Sequence, residues 1–376
     1  MIIMTNLVLY RKYRPKTFSE ITGQEHVIQT LTNALLSGTV SHAYLFSGPR
    51  GSGKTSTARL LAKAVNCEQR KENEFEPCNK CSSCLEINEG RSIDLIEIDA
   101  ASNRGVDEIR ELRDGIKFRP TKSKYKVFII DESHQLTREA ANALLKTLEE
   151  PPSHAIFILA TTEIHKMIPT IISRCQRFDF RKLTLAEIVG RLSWIVEKEK
   201  VKIEKPALEL IALNSGGAVR DAEGLLDQAL TFGGTLGKTG SIKADDIKEL
   251  LGMVDTKIVS DFVDLLCQQK GSLAIEFLNK LLEKGKDVQE FSRALVNYLR
   301  QGLILKIGPE NSNPIIIGLT QEEKEKLQAQ ISGFDEDSLR HILQLFLEAE
   351  NRIKYSSIPQ LPLELAIIEA LKIGEK

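Results

Sequence analysis

The sequence predicts an α/β domain built on a parallel sheet, then a small helical domain and a larger all-helical one. Three observations predict it. From about residue 38 to residue 180, apolar strand-like runs alternate with helically spaced segments, the pattern of a parallel sheet with helices on both faces. One strand-to-helix junction carries Gly48-Pro49-Arg50-Gly51-Ser52-Gly53-Lys54-Thr55, which fits G-x-x-x-x-G-K-[ST], a phosphate-binding loop. From Thr184 onward the pattern is helical throughout. At 376 residues the chain can hold two or three domains with ample core.

Composition narrows the function classes. Charged residues are 27% and hydrophobics 42%, ordinary for a globular protein. The net charge of −1 excludes an overall polycation, so any nucleic-acid contact needs a local patch or a shared assembly. No apolar run reaches membrane-spanning length, and the start lacks a signal-peptide pattern, so a cytoplasmic protein is expected. In that compartment six cysteines argue for a metal or buried thiols over disulfides.

The elements follow in order. Residues 10–28 are basic, aromatic and turn-rich, with helical spacing only from Gln24 to Leu36; the segment either wraps a neighbouring site or is a solvated arm. Residues 42–46 read as a strand and 56–65 as a helix, with the phosphate loop between them. Its three glycines let successive N–H groups face phosphate oxygens, and the following helix adds the positive end of its dipole. Lys54 would reach the β/γ-phosphates and Thr55 would hold Mg²⁺; Ser56 opens the helix. Cys67, Cys78, Cys81 and Cys84 come next, the last three at C-x2-C spacing. Four thiolates aimed at one point suit a closed, structural tetrahedral zinc site with Zn–S of about 2.3 Å. Residues 71–77 are too polar to form core, and a metal would replace it.

Residues 93–99 alternate as a strand, 100–105 form a turn, and 106–117 have helical spacing. The basic stretch 117–126 is either a solvated loop or a DNA-facing one. Residues 127–130 are apolar β-formers ending in Asp131-Glu132, a buried parallel strand whose carboxyl end is where open α/β sheets place ligands. Asp131 would hold Mg²⁺ through water, and Glu132 would polarise an attacking water. A helix over 136–150 closes at Pro151-Pro152. The strand 155–160 ends in Thr161-Thr162, hydroxyls placed either for a γ-phosphate or for simple strand-end capping. Arg174, just before the strand-like 176–180, is either an arginine finger for a neighbouring subunit or half of a surface ion pair. Thr184-Leu185-Ala186-Glu187 is a capping box that opens a three-helix lid. Its third helix begins near Arg220, which is aimed at the nucleotide or simply solvated. Residues 231–240 read as a linker. Helices are expected at 244–251, 256–268, 272–285, 288–306, 320–331, 335–354 and 361–373, an oligomerisation block or an independent helical domain.

Taken together, the phosphate loop, Asp131-Glu132, Thr161-Thr162, Ser173-Arg174-Cys175 and the Gly216-Gly217-x-x-Arg220-Asp221-Ala222 run resemble AAA+ ATPases of the clamp-loader clade. Tyr13-Arg14-Pro15-x-Thr17-Phe18, Gly23-Gln24-Glu25-His26-Val27, the cysteine insert and Leu144-Leu145-Lys146-Thr147-Leu148-Glu149-Glu150-Pro151-Pro152 look like the bacterial DNA polymerase III gamma/tau family. The match is specific over roughly 1–230 and rests on helical order beyond it. The resemblance implies an AAA+ domain at 1–181 with a zinc module at 67–84, a lid at 182–242 and a helical collar at 243–376. It implies an ATPase motor that, with delta, delta-prime and further copies of itself, forms a pentamer and loads a sliding clamp onto primed DNA. The cofactors would be ATP, Mg²⁺ and structural Zn²⁺. Lys54, Glu132, Thr162 and, in trans, Arg174 would be catalytic. Arg11 and Pro15 match the adenine-side segment, Gly48 to Thr55 with Ser56 the phosphate site, Asp131 and Thr55 the magnesium side, and Arg220 the second sensor. Such a chain belongs to a DNA-directed DNA polymerase without polymerising by itself. A protein remodeller and a nucleotide-locked structural subunit compete with this reading; intact Lys54, Glu132 and Arg174 weigh against the latter. Ser133 departs from the usual apolar residue and puts the packing of that turn in question. As nothing follows Lys376, a short gamma-like or truncated form is expected.

Overall fold

The computed structural model of the chain describes residues 7–71, 73–102, 115–116, 118–235, 241–252, 254–308 and 321–373. It divides into two compact units, Met1–Ile242 and Lys243–Lys376. The expected turn at 103–105 and nearly all of the expected helix at 106–117 lie outside the described residues.

The first unit is built on β1 (Ala43–Ser47), β2 (Leu95–Asp99), β3 (Lys126–Asp131), β4 (Ala155–Thr161) and β5 (Gln176–Asp179), all parallel, in the order β2-β3-β4-β1-β5. The interior strands β1 and β4 are buried along their whole length, and β3 is buried over Val127–Ile130 because helices cover both faces. Alternation divides each strand between two cores. Tyr44, Phe46, Val127 and Ile129 meet Phe18, Val27 and Leu60 on one side; Ala43, Leu45, Phe128 and Ile130 meet Leu144 and Leu148 on the other. Phe128 and Phe157 stack across β3 and β4 with centroids 5.3 Å apart. The covering helices are α2 (Glu25–Ser37) and α3 (Lys54–Val65) on the first side and α5 (Arg138–Glu149) and α6 (Pro169–Ile172) on the second; the unit also holds α1 (Leu9–Lys12) and α4 (Ser82–Asn88).

Three further helices complete this unit: α7 (Leu185–Glu199), α8 (Lys205–Asn214) and α9 (Val219–Thr235). The capping box at Thr184 is formed, with Glu187 N–H donating to Thr184 Oγ1 at 3.3 Å and Thr184 N–H donating to Glu187 Oε2 at 2.8 Å. Arg181 also bonds this carboxylate, and with the cap it lowers the Glu187 pKa to about 2.

Three local expectations are corrected. The arm holds a short helix, α1, because Leu9 is buried and packs the turn against α9. Residues 231–235 are helical where a linker was expected; α9 runs on, with Thr231 Oγ1 donating to Asp227 O at 2.9 Å. The strand expected over 93–99 starts only at Leu95. The Asp94 carboxylate instead collects the N–H groups of Thr121, Lys122 and Ser123 at 2.7–2.9 Å, fixing the turn before β3.

Among the described residues the second unit is all α: α10 (Ala244–Leu250), α11 (Thr256–Cys267), α12 (Gly271–Glu283), α13 (Val288–Ile307), α14 (Gln321–Ser332), α15 (Glu336–Ile353) and α16 (Leu361–Ile373). Its core centres on Phe262, Phe291 and Phe346, with Phe262 edge-on to Phe291 at 5.1 Å. Cys267 packs against this core. Among the described residues, no helix is long and apolar enough to cross a membrane.

Candidate functional site

Strand order assembles the site. β4 lies between β1 and β3, so the ends of three strands arrive side by side: Ser47 of β1, Thr161 of β4 and Asp131 of β3. The phosphate loop leaves β1 and turns into α3 at Lys54, with Gly53 as its cap. Gly48 has φ +147°, and a Cβ there would stand 2.3 Å from Phe180 O. Gly51 has φ +73°, and its Cβ would meet Ala218 at 2.8 Å, so only glycine lets the lid segment close on the loop. Gly48 N–H donates to Thr161 O at 3.1 Å, and Ser52 Oγ donates to Pro49 O at 2.7 Å. Gln24, fully buried, takes the Arg181 N–H at 3.0 Å and donates to Arg181 O at 2.8 Å.

Lys54 is 5% exposed and folds onto its own loop, donating to Gly48 O and Pro49 O at 2.8 Å each. Burial pulls its pKa down against the opposing charges of Asp131 and Glu132. Thr55 Oγ1 donates to Asp131 Oδ2 at 2.7 Å, joining motifs 76 positions apart. This hydroxyl–carboxylate pair is the all-oxygen donor set that magnesium takes beside phosphates. Glu132 turns out of the strand at φ +47° and accepts from Thr162 Oγ1 at 2.9 Å. Ser133 is buried and donates to Ala160 O at 3.0 Å, so the polar residue at that turn is satisfied.

A cleft opens over these groups. It is lined by the loop from Arg50 to Ser56, by Asp131 and Glu132, and by Tyr10, Arg14, Pro15 and Ile21 of the arm. Arg191, Val219, Arg220 and Glu223 of the lid close it. Arg220 lies 4.9 Å over the Tyr10 ring. Arg11, expected here, is exposed and is not among the lining residues; its guanidinium lies 5.9 Å over the Tyr10 ring. Thr162 reaches the site through Glu132. Arg174 stands apart, its guanidinium paired with Glu149 and bonded to Thr170 O at 2.8 Å, just before the edge strand β5.

The four cysteines converge as well. Their Sγ atoms all lie within 4.8 Å of one another, and Cys78 and Cys84 are 3.9 Å apart. A tetrahedral zinc with Zn–S near 2.3 Å needs sulfurs about 3.8 Å apart, so the set fits that ion. None of the six cysteines forms a disulfide. Burial opposes ionisation at Cys78, but the N–H groups of Lys80 and Cys81 and its sulfur neighbours bring it down to about 7.

The family "DNA polymerase III subunits gamma and tau domain III" matches residues 242–375, "DNA polymerase III clamp loader subunit, ATPase lid domain" residues 187–235, and "DNA polymerase III, delta subunit" residues 23–184. DNA polymerase III subunit gamma of Buchnera aphidicola subsp. Acyrthosiphon pisum is 34% identical over 370 residues, covering 98% of this chain and 99% of that one. The chain belongs to the DNA polymerase III gamma/tau family. DNA polymerase III subunit tau of Bacillus subtilis is 45% identical over 366 residues, and that of Escherichia coli 37% over 369. The chain spans 63% and 56% of their lengths, and 97% and 98% of its own.

Within this gamma/tau family member, sequence reading missed several residues at the cleft. Tyr10 and Arg14 sat in a segment with no helical pattern. Arg191 had a signal, a lone arginine on the apolar face of Ile188, Leu192 and Ile195. It pairs with Glu223 at 2.9 Å, both side chains under a tenth exposed, and it also bonds Tyr13 O and lies 4.8 Å over Trp194. His134 lies outside the motifs that the sequence offers; its side chain is 3% exposed, and Nδ1 lies 2.9 Å from Thr161 Oγ1. Removing one partner of a buried ion pair strands the other. Glu223→Ala should therefore destabilise the first unit by about 3 kcal/mol. Denaturant unfolding checks this, and a loss under about 0.5 kcal/mol would show that solvent reaches Arg191 and replaces the partner.

Proposed function

We propose that this chain is an ATP-hydrolysing motor subunit of a clamp loader. The observation that carries the reading is the meeting of Lys54 and Thr55 with Asp131 and Glu132 at the carboxyl edge of one parallel sheet. The phosphates sit on the N–H groups of Gly51 to Ser56, with Lys54 released from its loop carbonyls to reach the β/γ oxygens. Thr55 and Asp131 hold magnesium, which neutralises phosphate charge when bound with the nucleotide. Glu132 orients and deprotonates the attacking water, held by Thr162. Tyr10, Pro15 and Ile21 flank the base, and Arg220 reaches in from the lid. Arg174, which does not line its own cleft, acts on the neighbouring subunit's γ-phosphate. Cys67, Cys78, Cys81 and Cys84 hold a structural zinc.

The chain has three functional parts: the ATPase domain at 1–181, the lid at 182–242 and an oligomerisation collar at 243–376. With delta, delta-prime and further copies of itself it forms the loader that places a sliding clamp on primed DNA, which it contacts through phosphates without sequence preference. The test is ATP hydrolysis by the chain reconstituted with delta and delta-prime. Turnover should be low alone and rise strongly only when clamp and primed DNA are both present. A rate indifferent to both leaves a protein remodeller or a structural subunit.

A further inference from the structure

The loop between the cysteines is tied to the nucleotide cleft by side chains that none of the four thiols explains. Glu76, two residues before Cys78, lays its carboxylate across the arm. It accepts the N–H groups of Phe18 and Ser19 at 2.8 and 2.9 Å, and the Ser19 hydroxyl at 2.7 Å. Asn79 stands inside the Cys78–Cys81 turn in a left-handed conformation, φ +55°. Its Nδ2 donates to Lys16 O at 3.1 Å. Lys63, on the last turn of α3, is 2% exposed. Its ammonium donates to Lys16 O, to Asn79 Oδ1 and to Asn88 Oδ1 at 2.7–2.8 Å. Asn88 ends α4, the helix that Cys81 caps and Cys84 belongs to.

These bonds clamp residues 16–19 from two sides. Immediately before the clamped stretch come Arg14 and Pro15, with Tyr10 further upstream, and immediately after it Glu20, Ile21 and Thr22, all lining the cleft. At the other end of α3 stands Lys54. Helix, arm and cysteine loop therefore meet at one buried ammonium. A tetrahedral ion held by Cys78, Cys81 and Cys84 would fix the turn carrying Asn79 and the start of α4, and through them the seat of the arm.

We propose that Glu76, Asn79 and Lys63 are positioning residues through which the metal-bound cysteine loop holds the N-terminal arm against the nucleotide, so that metal occupancy sets nucleotide affinity. The inference rests on the nucleotide-binding reading above and assigns a role to residues that touch neither nucleotide nor metal. If the arm is seated only about a tenth of the time without the latch, apparent affinity falls about tenfold.

The test uses the full chain and a fluorescent ADP analogue. Binding by the unaltered, metal-loaded protein tests the functional reading by itself; no binding there sinks that reading, not the latch alone. Given binding, Glu76→Ala should weaken it about tenfold, with one zinc per chain still present by metal analysis and unchanged helical circular dichroism. Glu76→Gln, which keeps one acceptor oxygen, should recover part of the loss. Trypsin should cut faster after Lys16 in Glu76→Ala and in protein stripped of metal by a chelator, and nucleotide affinity should return when zinc is restored. Should Glu76→Ala not fold, Asn79→Ala carries the same expectation. Affinity and arm cleavage equal to the unaltered protein in the folded variant, or in folded metal-free protein, would overturn the proposal.

Discussion

Glu132→Gln lowers ATP turnover by the assembled loader by about 10²–10⁴-fold while nucleotide binding is kept, the expected loss for a general base. The substitution keeps the shape of the side chain and an oxygen to accept the Thr162 hydroxyl, now at 2.9 Å. It removes only the charge that takes a proton from water. The left-handed backbone at Glu132, φ +47°, turns the carboxylate out of the strand direction, whereas Asp131 stays in line to meet Thr55. The two adjacent acids thus point to different partners, Asp131 to Thr55 and Glu132 to Thr162, and the proposed function divides metal binding and water activation between them. Phosphate release measured beside analogue binding separates the steps: loss of binding along with turnover would give Glu132 a structural role, and unchanged turnover would remove it from the chemistry.

Arg174→Ala should cost about 10³-fold or more in the assembled complex, the range of trans arginine fingers, and should leave the slow turnover of the isolated chain as it was. The geometry motivates the contrast. The cleft already has Arg14, Arg50, Arg191 and Arg220 among its own lining, and Arg174 is not one of them. It is held by Glu149 and by Thr170 O, about a third exposed. An exposed pair of this kind is worth no more than about 1 kcal/mol, so redirecting the arginine to a neighbour's phosphate costs little. Mixing decides between cis and trans action. Assemblies built with only Lys54→Ala chains or only Arg174→Ala chains should lack the fast turnover, and assemblies that mix the two should regain it. An intact Lys54 on one then meets an intact Arg174 on the other. No recovery in mixed assemblies would place the arginine's effect within its own subunit.

Much of this architecture was legible because local chemistry and global fold agree. The glycine spacing at 48–53 has few uses other than a curled backbone, and buried parallel strands read as unbroken apolar runs. The C-x2-C spacing pointed to the convergence that the sulfur distances show. The helices of the second unit begin and end within one or two residues of their apolar periodicity. The arm was harder. Leu9 to Lys12 is helical only because Leu9 finds a burial site on α9, far along the chain, and a four-residue helix has no propensity signal by itself. Residues 231–235 carry Gly and Thr yet continue a helix whose earlier turns are already packed.

By itself, then, the sequence determined the parallel sheet, the phosphate loop, the acidic strand end, the cysteine cluster and the helical C-terminal unit. Each depends on residues close in the chain or on a repeating period. Only the tertiary structure decided which distant groups meet: Thr55 with Asp131, Arg191 with Glu223, Gln24 with Arg181, and Lys63 with Lys16 and Asn79. A buried polar group must find a partner wherever the fold supplies one, and that partner is fixed by strand order and packing, which no local pattern records.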